Sequence, residues 1–168
     1  MEVILETART YLREMNDDDF DALKKIIHNH DGSECNDAYV HKWLKWCKDS
    51  YNKDGFGHWA VIYKETGEMI GSCGVSMQLI DNEWKPEIGY HIRSDYQRKG
   101  LATEISRAIK DWFFKNTRFD EVCSYMYIDN IPSYKTAEAN GMKFVKFCVD
   151  KEEKNCRVYK ITREEWNK

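Results

Sequence analysis

Glu87–Ala108, EIGYHIRSDYQRKGLATEISRA, is the stretch around which the rest of the chain is arranged. It reads as a strand, a basic glycine-bearing turn and an amphipathic helix. Leu101, Ile105, Ala108, Ile109, Trp112 and Phe113 fall at the spacing of one buried helical stripe. Gln97-Arg98-Lys99-Gly100 therefore sits at a helix N-terminus, where the first amides lack intrahelical acceptors and the macrodipole is positive. Such a place suits an anion. Gly100 lets an anionic group approach the backbone closely, and Arg98 and Lys99 add full positive charge beside it. The turn reads as a phosphate or pyrophosphate seat. It is not a Walker loop, because the lysine precedes the glycine and no Gly-Lys-Ser/Thr follows. Nor is it the dinucleotide fingerprint, which needs three glycines in a set order.

Gln97-Arg98-Lys99-Gly100-Leu101-Ala102 resembles the Gln/Arg-x-x-Gly-x-Gly/Ala motif of the GNAT superfamily of N-acetyltransferases, and the strand Glu87–Ile92 precedes it. With "EIGY" before the motif and "ATE" after it, the text is most similar to the branch holding the RimJ/RimL-type ribosomal-protein acetyltransferases. The resemblance implies that acetyl-CoA's pyrophosphate sits on the turn, over Gln97, Arg98, Lys99, Gly100, Leu101, Ala102 and Thr103. It also implies that the pantetheine arm runs along Tyr90, His91 and Ile92 like an extra strand. A second motif falls where that family has one. Asn130-Ile131-Pro132-Ser133, followed by Gly141-Met142-Lys143-Phe144, resembles an Asn-x-x-Ser/Ala helix ending in Gly-Phe, with two residues inserted between the glycine and the phenylalanine. By that resemblance Asn130 bonds the pantetheine arm and Ser133 faces the thiol. One departure matters for mechanism. Many members carry a general-acid tyrosine seven residues after the motif asparagine, and here that position is Ala137; Tyr134, only four residues on, does not take the role.

Length and composition limit the alternatives. At 168 residues the chain is expected to be one domain, 1–168, able to bury about 70% of its unfolded surface. A net charge of −3 argues against a general nucleic-acid binder and, beside a locally basic turn, suits a neutral or cationic acceptor. No apolar run approaches the ~20 residues that span a bilayer. The start, MEVILETART, lacks the basic end and long apolar centre of a signal peptide, so a cytoplasmic protein is expected. The six cysteines have no Cys-x-x-Cys spacing, which fits reduced thiols better than a disulfide or zinc framework. No histidine pairs with any of them in sequence to suggest a catalytic thiol.

In chain order, Thr10–Arg13 reads as a first strand, with Asn16 or Asp17 capping a helix that buries Phe20, Leu23, Ile26 and Ile27. The loop His28–Asp37 gathers two histidines, acids and Cys35, but His-x-His places the rings on different sides of a helix, so an ordinary loop is expected rather than a metal site. In the family the corresponding region lines the acceptor site, which makes Asp31 and Glu34 candidates to grip an amine. A second helix from Asp37 buries Val40, Trp43, Leu44, Cys47 and Tyr51, with Trp46 off that stripe as a rim candidate. Gly55-Phe56-Gly57 ends it. His58–Tyr63 and Met69–Leu79 are strands, and a turn at Asp81-Asn82-Glu83 leads past Pro86 into the Glu87 strand, giving an antiparallel meander. Val122–Ile128 follows the Leu101 helix as a strand parallel to the Glu87 strand. Ser133–Asn140 is the last helix, and Phe144–Val149 with Arg157–Ile161 forms a closing hairpin. The architecture is α+β, a mixed sheet with flanking helices, in agreement with the acyl-CoA N-acyltransferase (GNAT) fold.

The expected function is acetyl-CoA-dependent N-acetyl transfer to a primary amine of a small molecule, an amine-bearing antibiotic or a protein N-terminus, by direct attack on the thioester. No metal, nucleic acid or membrane is expected to take part, and a monomer or homodimer is expected. Glu87 is the favoured base, directly or through water, against the alternative of a carboxylate hydrogen-bonded to a neighbouring strand. His91 is the second candidate, because its ring titrates near neutrality. Backbone amides around His91 and Ile92 are placed to stabilise an oxyanion. With no tyrosine at 137, the thiolate takes its proton from Ser133, from water, or on release; a thiol of pKa near 8.5 is a fair leaving group, so activity need not be lost. Two other readings stand beside this one: a catalytically weakened CoA-binding module of the same fold, and a phosphate-binding protein that holds another nucleotide.

Overall fold

The computed structural model describes residues 2–28 and 32–168. Its strands are β1 (Val3–Glu6), β2 (Thr10–Arg13), β3 (His58–Tyr63), β4 (Met69–Ile80), β5 (Glu83–Ile92), β6 (Glu121–Tyr127), β7 (Lys143–Val149) and β8 (Asn155–Thr162). Its helices are α1 (Phe20–Lys24), α2 (Asp37–Asp54), α3 (Leu101–Asn116), α4 (Ile131–Ala139) and α5 (Arg163–Trp166). The strands form one mixed sheet in the order β1-β2-β3-β4-β5-β6-β8-β7.

Period-2 alternation sends the sheet's side chains to two cores. On one face Trp59, Val61, Cys73, Val75 and Ile88 pack with Leu101, Ile105, Ile109 and Phe113 of α3. On the other, Ala60 and Ile62 pack with Leu23 of α1 and Val40, Leu44 and Cys47 of α2. Helix α2 is set at both ends: Asn36 accepts the amide of Tyr39, and Gly55 closes it at φ +76°. Between β4 and β5 the loop has two residues, Asp81 and Asn82, both at positive φ, the geometry that matches strand twist in a tight hairpin.

Several elements differ from expectation. Thr10–Arg13 is a strand with the expected bounds but the second one, because Val3–Glu6 pairs outside it as an edge. The turn before β5 ends at Asn82, so β5 starts at Glu83 and Pro86 lies within it, opposite Met77. Proline is tolerated there because pairing with β6 begins only at Glu87. Glu87 is consequently in the middle of a central strand and not at its start. A final turn of helix, α5, is added by the Thr162/Glu165 capping box. In the closing hairpin it is β8 that pairs with β6, leaving β7 as the outer strand.

The parallel pair in the middle of the sheet is the feature that makes a site. Glu87 opposite Cys123 is the pairing between β5 and β6. By contrast, β4 pairs with β5 as far as Ile92, and β8 pairs with β6 as far as Tyr127. Each half of the sheet is thus laddered to its end while the middle parts beyond Glu87. The closed end is clamped by Glu121 of β6, which binds Lys85 of β5 at 3.2 Å and Lys160 of β8 at 2.9 Å.

Candidate active site

Where β5 and β6 part, a cleft of about 720 Å³ opens, and its lining includes side chains from both faces of the sheet. Glu87, Gly89 and His91 alternate on the α2 face, with His58 of β3 beside them and Trp43 and Trp46 of α2 above. Ile88 and Tyr90 alternate on the opposite face, with Ser124 and Met126 of β6 and with Asn130 and Ser133 at the start of α4. The opening therefore runs through the sheet. Along it the edge of β5 beyond Glu87 faces no paired strand, which leaves backbone donors and acceptors for a bound chain.

The floor on the α2 face is built by Gly89. A Cβ there would lie 2.8 Å from His58 Nε2 and 3.2 Å from Glu87 Oε2, so the imidazole and the carboxyl both close over the hydrogen of this glycine. His58 is 3% exposed, and its Nδ1 lies 3.4 Å from Ser72 Oγ. Rings pack around it: Trp43 meets Trp46 and His91 edge-on, each at 5.2 Å, and His58 at 5.7 Å.

These surroundings reset the ionisable groups. Burial pushes the Glu87 carboxyl up to about 8, opposed by a hydrogen bond from the Tyr125 backbone. Burial pushes His58 down to about 3, helped by its neighbour His91, and pushes His91 down to about 4, helped by His28. Both imidazoles are neutral at pH 7, and Glu87 exchanges its proton near neutrality, where a general base works best.

The two imidazoles bind protons less readily folded than unfolded, so they raise stability as pH climbs from about 4 to their ordinary 6.5. Glu87 holds its proton more tightly folded, so the stability it contributes is full below its ordinary 4.5 and is lost as pH rises to about 8. Two imidazoles outweigh one carboxyl below pH 6.5, and above it the carboxyl alone acts. Thermal midpoints are expected to peak near pH 6.5 and decline toward pH 8. Glu87→Gln is expected to abolish the decline, and a wild-type midpoint still rising between those pH values would contradict the assignment.

On the opposite face, Tyr90 donates its hydroxyl to the Ser133 carbonyl at 2.6 Å, and Ser124 Oγ donates to the Ile88 carbonyl at 3.0 Å. Asn130 caps α4 by accepting the Ser133 amide at 3.3 Å, so its side-chain carbonyl oxygen is engaged, and the residue lines the cleft. Ala137 is 2% exposed in the core, so the position where the resemblance wants a tyrosine points into packing. Tyr134 stacks on Tyr159 and lies under Arg157.

The turn Gln97–Thr103 lies at the far end of β5, about 17 Å of strand from Glu87 by the usual rise per residue, and does not line the cleft. Arg98 at φ +60° and Gly100 at φ +75° bend the backbone tightly before α3, the kind of turn that gathers amides around an anion. The first intrahelical bond runs from Glu104 N to Gly100 O at 3.1 Å, leaving the amides of Leu101, Ala102 and Thr103 ahead of it. The Gln97 side chain donates to the Ile92 carbonyl at 2.8 Å, so it ties the turn to the strand. Arg9 ties it from outside, bonding the Lys99 carbonyl at 2.8 Å and Glu104 at 2.7 Å. A Cβ at Gly100 would find Arg9 Nη2 nearest, at 3.7 Å, so the turn is open above that residue.

Of the loop candidates, His30 and Asp31 lie outside the described residues, and Glu34 bridges to His28 and does not line the cleft. Trp46 lines it, and so does Trp43, which helical spacing assigned to the core. His58 carries no local sequence signal of a site role, because it opens an apolar strand, HWAVIY; the register His58–Gly74–Gly89 brings it to the face that holds Glu87.

Known proteins share this fold. Residues 9–143 match the family described as acetyltransferase (GNAT) domain, and the chain belongs to that family. It is an N-acetyltransferase. Bacillus subtilis YkkB is 30% identical over 149 residues, covering 84% of this chain and 86% of its own. The N-acetyltransferase YnaD of the same organism is 35% identical over 86 residues, 48% of this chain and 51% of its own. Among solved structures, an acetyltransferase from Agrobacterium tumefaciens str. C58 superposes with a TM-score of 0.82 at 22% identity, covering 97% of this chain and 95% of that one. RimL, a ribosomal L7/L12 alpha-N-protein acetyltransferase solved in complex with coenzyme A, superposes with a TM-score of 0.76 at 13% identity over 98% and 99% of the two chains.

Proposed function

We propose that this N-acetyltransferase takes its acetyl group from acetyl-CoA and delivers it to the primary amine of a small molecule or a protein N-terminus, with Glu87 as the base. The observation that carries the reading is the parting of β5 from β6, which joins a carboxyl-floored pocket on one face to a slot on the other. The acceptor enters from the α2 face and the thioester from the α4 face, and they meet at the opening. A cytoplasmic setting belongs to the same proposal.

In this reading the amides ahead of α3, with Arg98 and Lys99, seat the pyrophosphate. The free edge of β5 at Tyr90, His91 and Ile92 holds the pantetheine arm, and the Asn130 amide nitrogen bonds it from the other side. Glu87 takes the proton of the amine as its nitrogen bonds to the acetyl carbon. A backbone amide near His91 and Ile92 stabilises the oxyanion, an effect worth about 10²–10³ in rate in other acyl-transfer enzymes. The carbon–sulfur bond then breaks, and the thiolate takes a proton from water, directly or relayed through the Ser133 hydroxyl, which water reprotonates, in the absence of a tyrosine at 137. Glu87 returns its proton to solvent.

The test is release of free thiol from acetyl-CoA in the presence of a primary amine, with the N-acetyl product identified by mass. Amine-dependent thiol release is expected, and no release with any amine tried would contradict the proposal. Gly100→Glu is expected to weaken acetyl-CoA binding by at least about a hundredfold, because it strains a left-handed position and puts a negative charge beside the phosphates. Titration with acetyl-CoA checks it.

A further inference from the structure

The closing hairpin sets two cysteines opposite each other. Lys143 and Phe144 of β7 pair with Lys160 and Tyr159 of β8, whereas past a bulge at Val145 it is Phe147, Cys148 and Val149 that pair with Arg157, Cys156 and Asn155. Without the extra residue Cys148 would stand against Asn155. The tip of the hairpin is held as well, because the Asp150 carboxylate accepts the amides of Glu152 and Lys154, both at 2.9 Å. Directly opposed residues of an antiparallel pair have Cα atoms about 4.5–5.5 Å apart and side chains on one face. That lies within the span of about 4.4–6.8 Å that a disulfide bridges. Both thiols are free, and they differ in access: Cys148 is partly exposed, whereas Cys156 is buried. Burial raises both, Cys156 to about 11, and the contact between them lowers Cys148 and raises Cys156. Cys123 packs in the same small cluster as Cys148, but its place in the β6–β8 ladder is opposite Lys160.

We propose that Cys148 and Cys156 are a modification site, a cross-strand thiol pair that closes to a disulfide by exchange with a low-molecular-weight disulfide. The Cys148 thiolate attacks one sulfur of the small disulfide, whose other half leaves as a thiolate. Cys156 then gives up its proton and attacks the Cys148 sulfur, and the second half leaves. The two cysteines together lose two electrons and two protons, and the small disulfide is reduced to two thiols. Around Cys148, Asp81 and Asp150 raise the thiol and Lys146 lowers it. Thiols raised in this way attack slowly, but a reduced pair with no thiolate stabilisation is readily kept oxidised once the bond has formed. The pair borders the active site, since Cys156 lines the cleft and so does Tyr127, opposite it on β6. This inference does not depend on the acetyl-transfer reading.

The test exposes the folded full chain to excess glutathione disulfide, blocks the remaining thiols with iodoacetamide and maps the cysteines by peptide mass. The expected product joins Cys148 to Cys156, has lost two hydrogens, retains no glutathione and is reversed by dithiothreitol. Single variants are expected to differ from each other. Cys156→Ser stops at the glutathione adduct on Cys148, for want of the second thiol. Cys148→Ser gives no adduct on Cys156, because that thiol is buried. Should Cys156→Ser fail to fold, Cys156→Ala takes its place with the same expected adduct. Recovery of both wild-type thiols in alkylated form overturns the inference, as does a bridge from either to another cysteine or glutathione retained on Cys148 of the wild-type chain. An adduct on Cys156 in the Cys148→Ser variant overturns it too, since Cys156 would then be the attacking thiol.

Discussion

Glu87→Gln is expected to lower kcat by about 10²–10⁴ while leaving the affinity for acetyl-CoA intact. The substitution keeps the shape of the side chain and removes its capacity to accept a proton. Because burial pushes this carboxyl up to about 8, the folded protein is destabilised by ionising it, and the amide escapes that cost. The variant is therefore expected to melt at or above the wild-type temperature at pH 8. Loss of activity together with undiminished stability separates a catalytic carboxyl from one that merely bonds the Tyr125 backbone. The wild-type kcat/KM should also rise with pH through about 8, and the variant's should not. A variant with more than a tenth of wild-type kcat, about 1.4 kcal/mol of barrier, would remove Glu87 from the mechanism.

Gly74→Ala is expected to cause the largest loss of stability. A Cβ at this position would sit 1.9 Å from the Gly57 carbonyl oxygen and 2.7 Å from His58 Cα. Both are backbone atoms of the neighbouring β3 segment, opposite Gly74 in the ladder, so no side chain can swing aside. Strands β3 and β4 must move apart in the middle of the sheet, and a cost of about 3 kcal/mol or more is expected. Denaturant midpoints measure it. Because His58 rides on the displaced strand, whatever folded protein remains should also show a raised acceptor KM. An unchanged midpoint would mean that the close approach of β3 and β4 is wrong.

How much of this was legible in the sequence varies from element to element. The strand Thr10–Arg13 and the Asp37 helix are legible, the helix from its apolar stripe and from the Gly55-Phe56-Gly57 break at its end. Val3–Glu6 was not, because an edge strand with only partly buried residues carries almost no alternation. Pro86 misled, since proline usually marks the end of a strand, and here it sits where the parallel ladder has not yet begun. In the site, Glu87 and His91 are legible as titratable residues of the strand, each two positions from Gly89. The partners that make them a site are long-range: His58 reaches Glu87 across β4, and Trp43 reaches His91 from another layer. Trp43 obeys helical spacing and still faces the cleft, because the sheet beneath that end of α2 carries Gly74 and Gly89 rather than large side chains. The parting of β5 from β6 has no local sequence signal at all, since it is a relation between two ladders.

Calorimetric titration of the purified chain with acetyl-CoA tests the central claim most directly. An affinity near micromolar, about −8 kcal/mol, lost in a folded Gly100→Glu variant, is the predicted result. A folded wild-type protein that gives no heat with acetyl-CoA would contradict the account, because neither the free edge of β5 nor the turn ahead of α3 would then hold the substrate assigned to it.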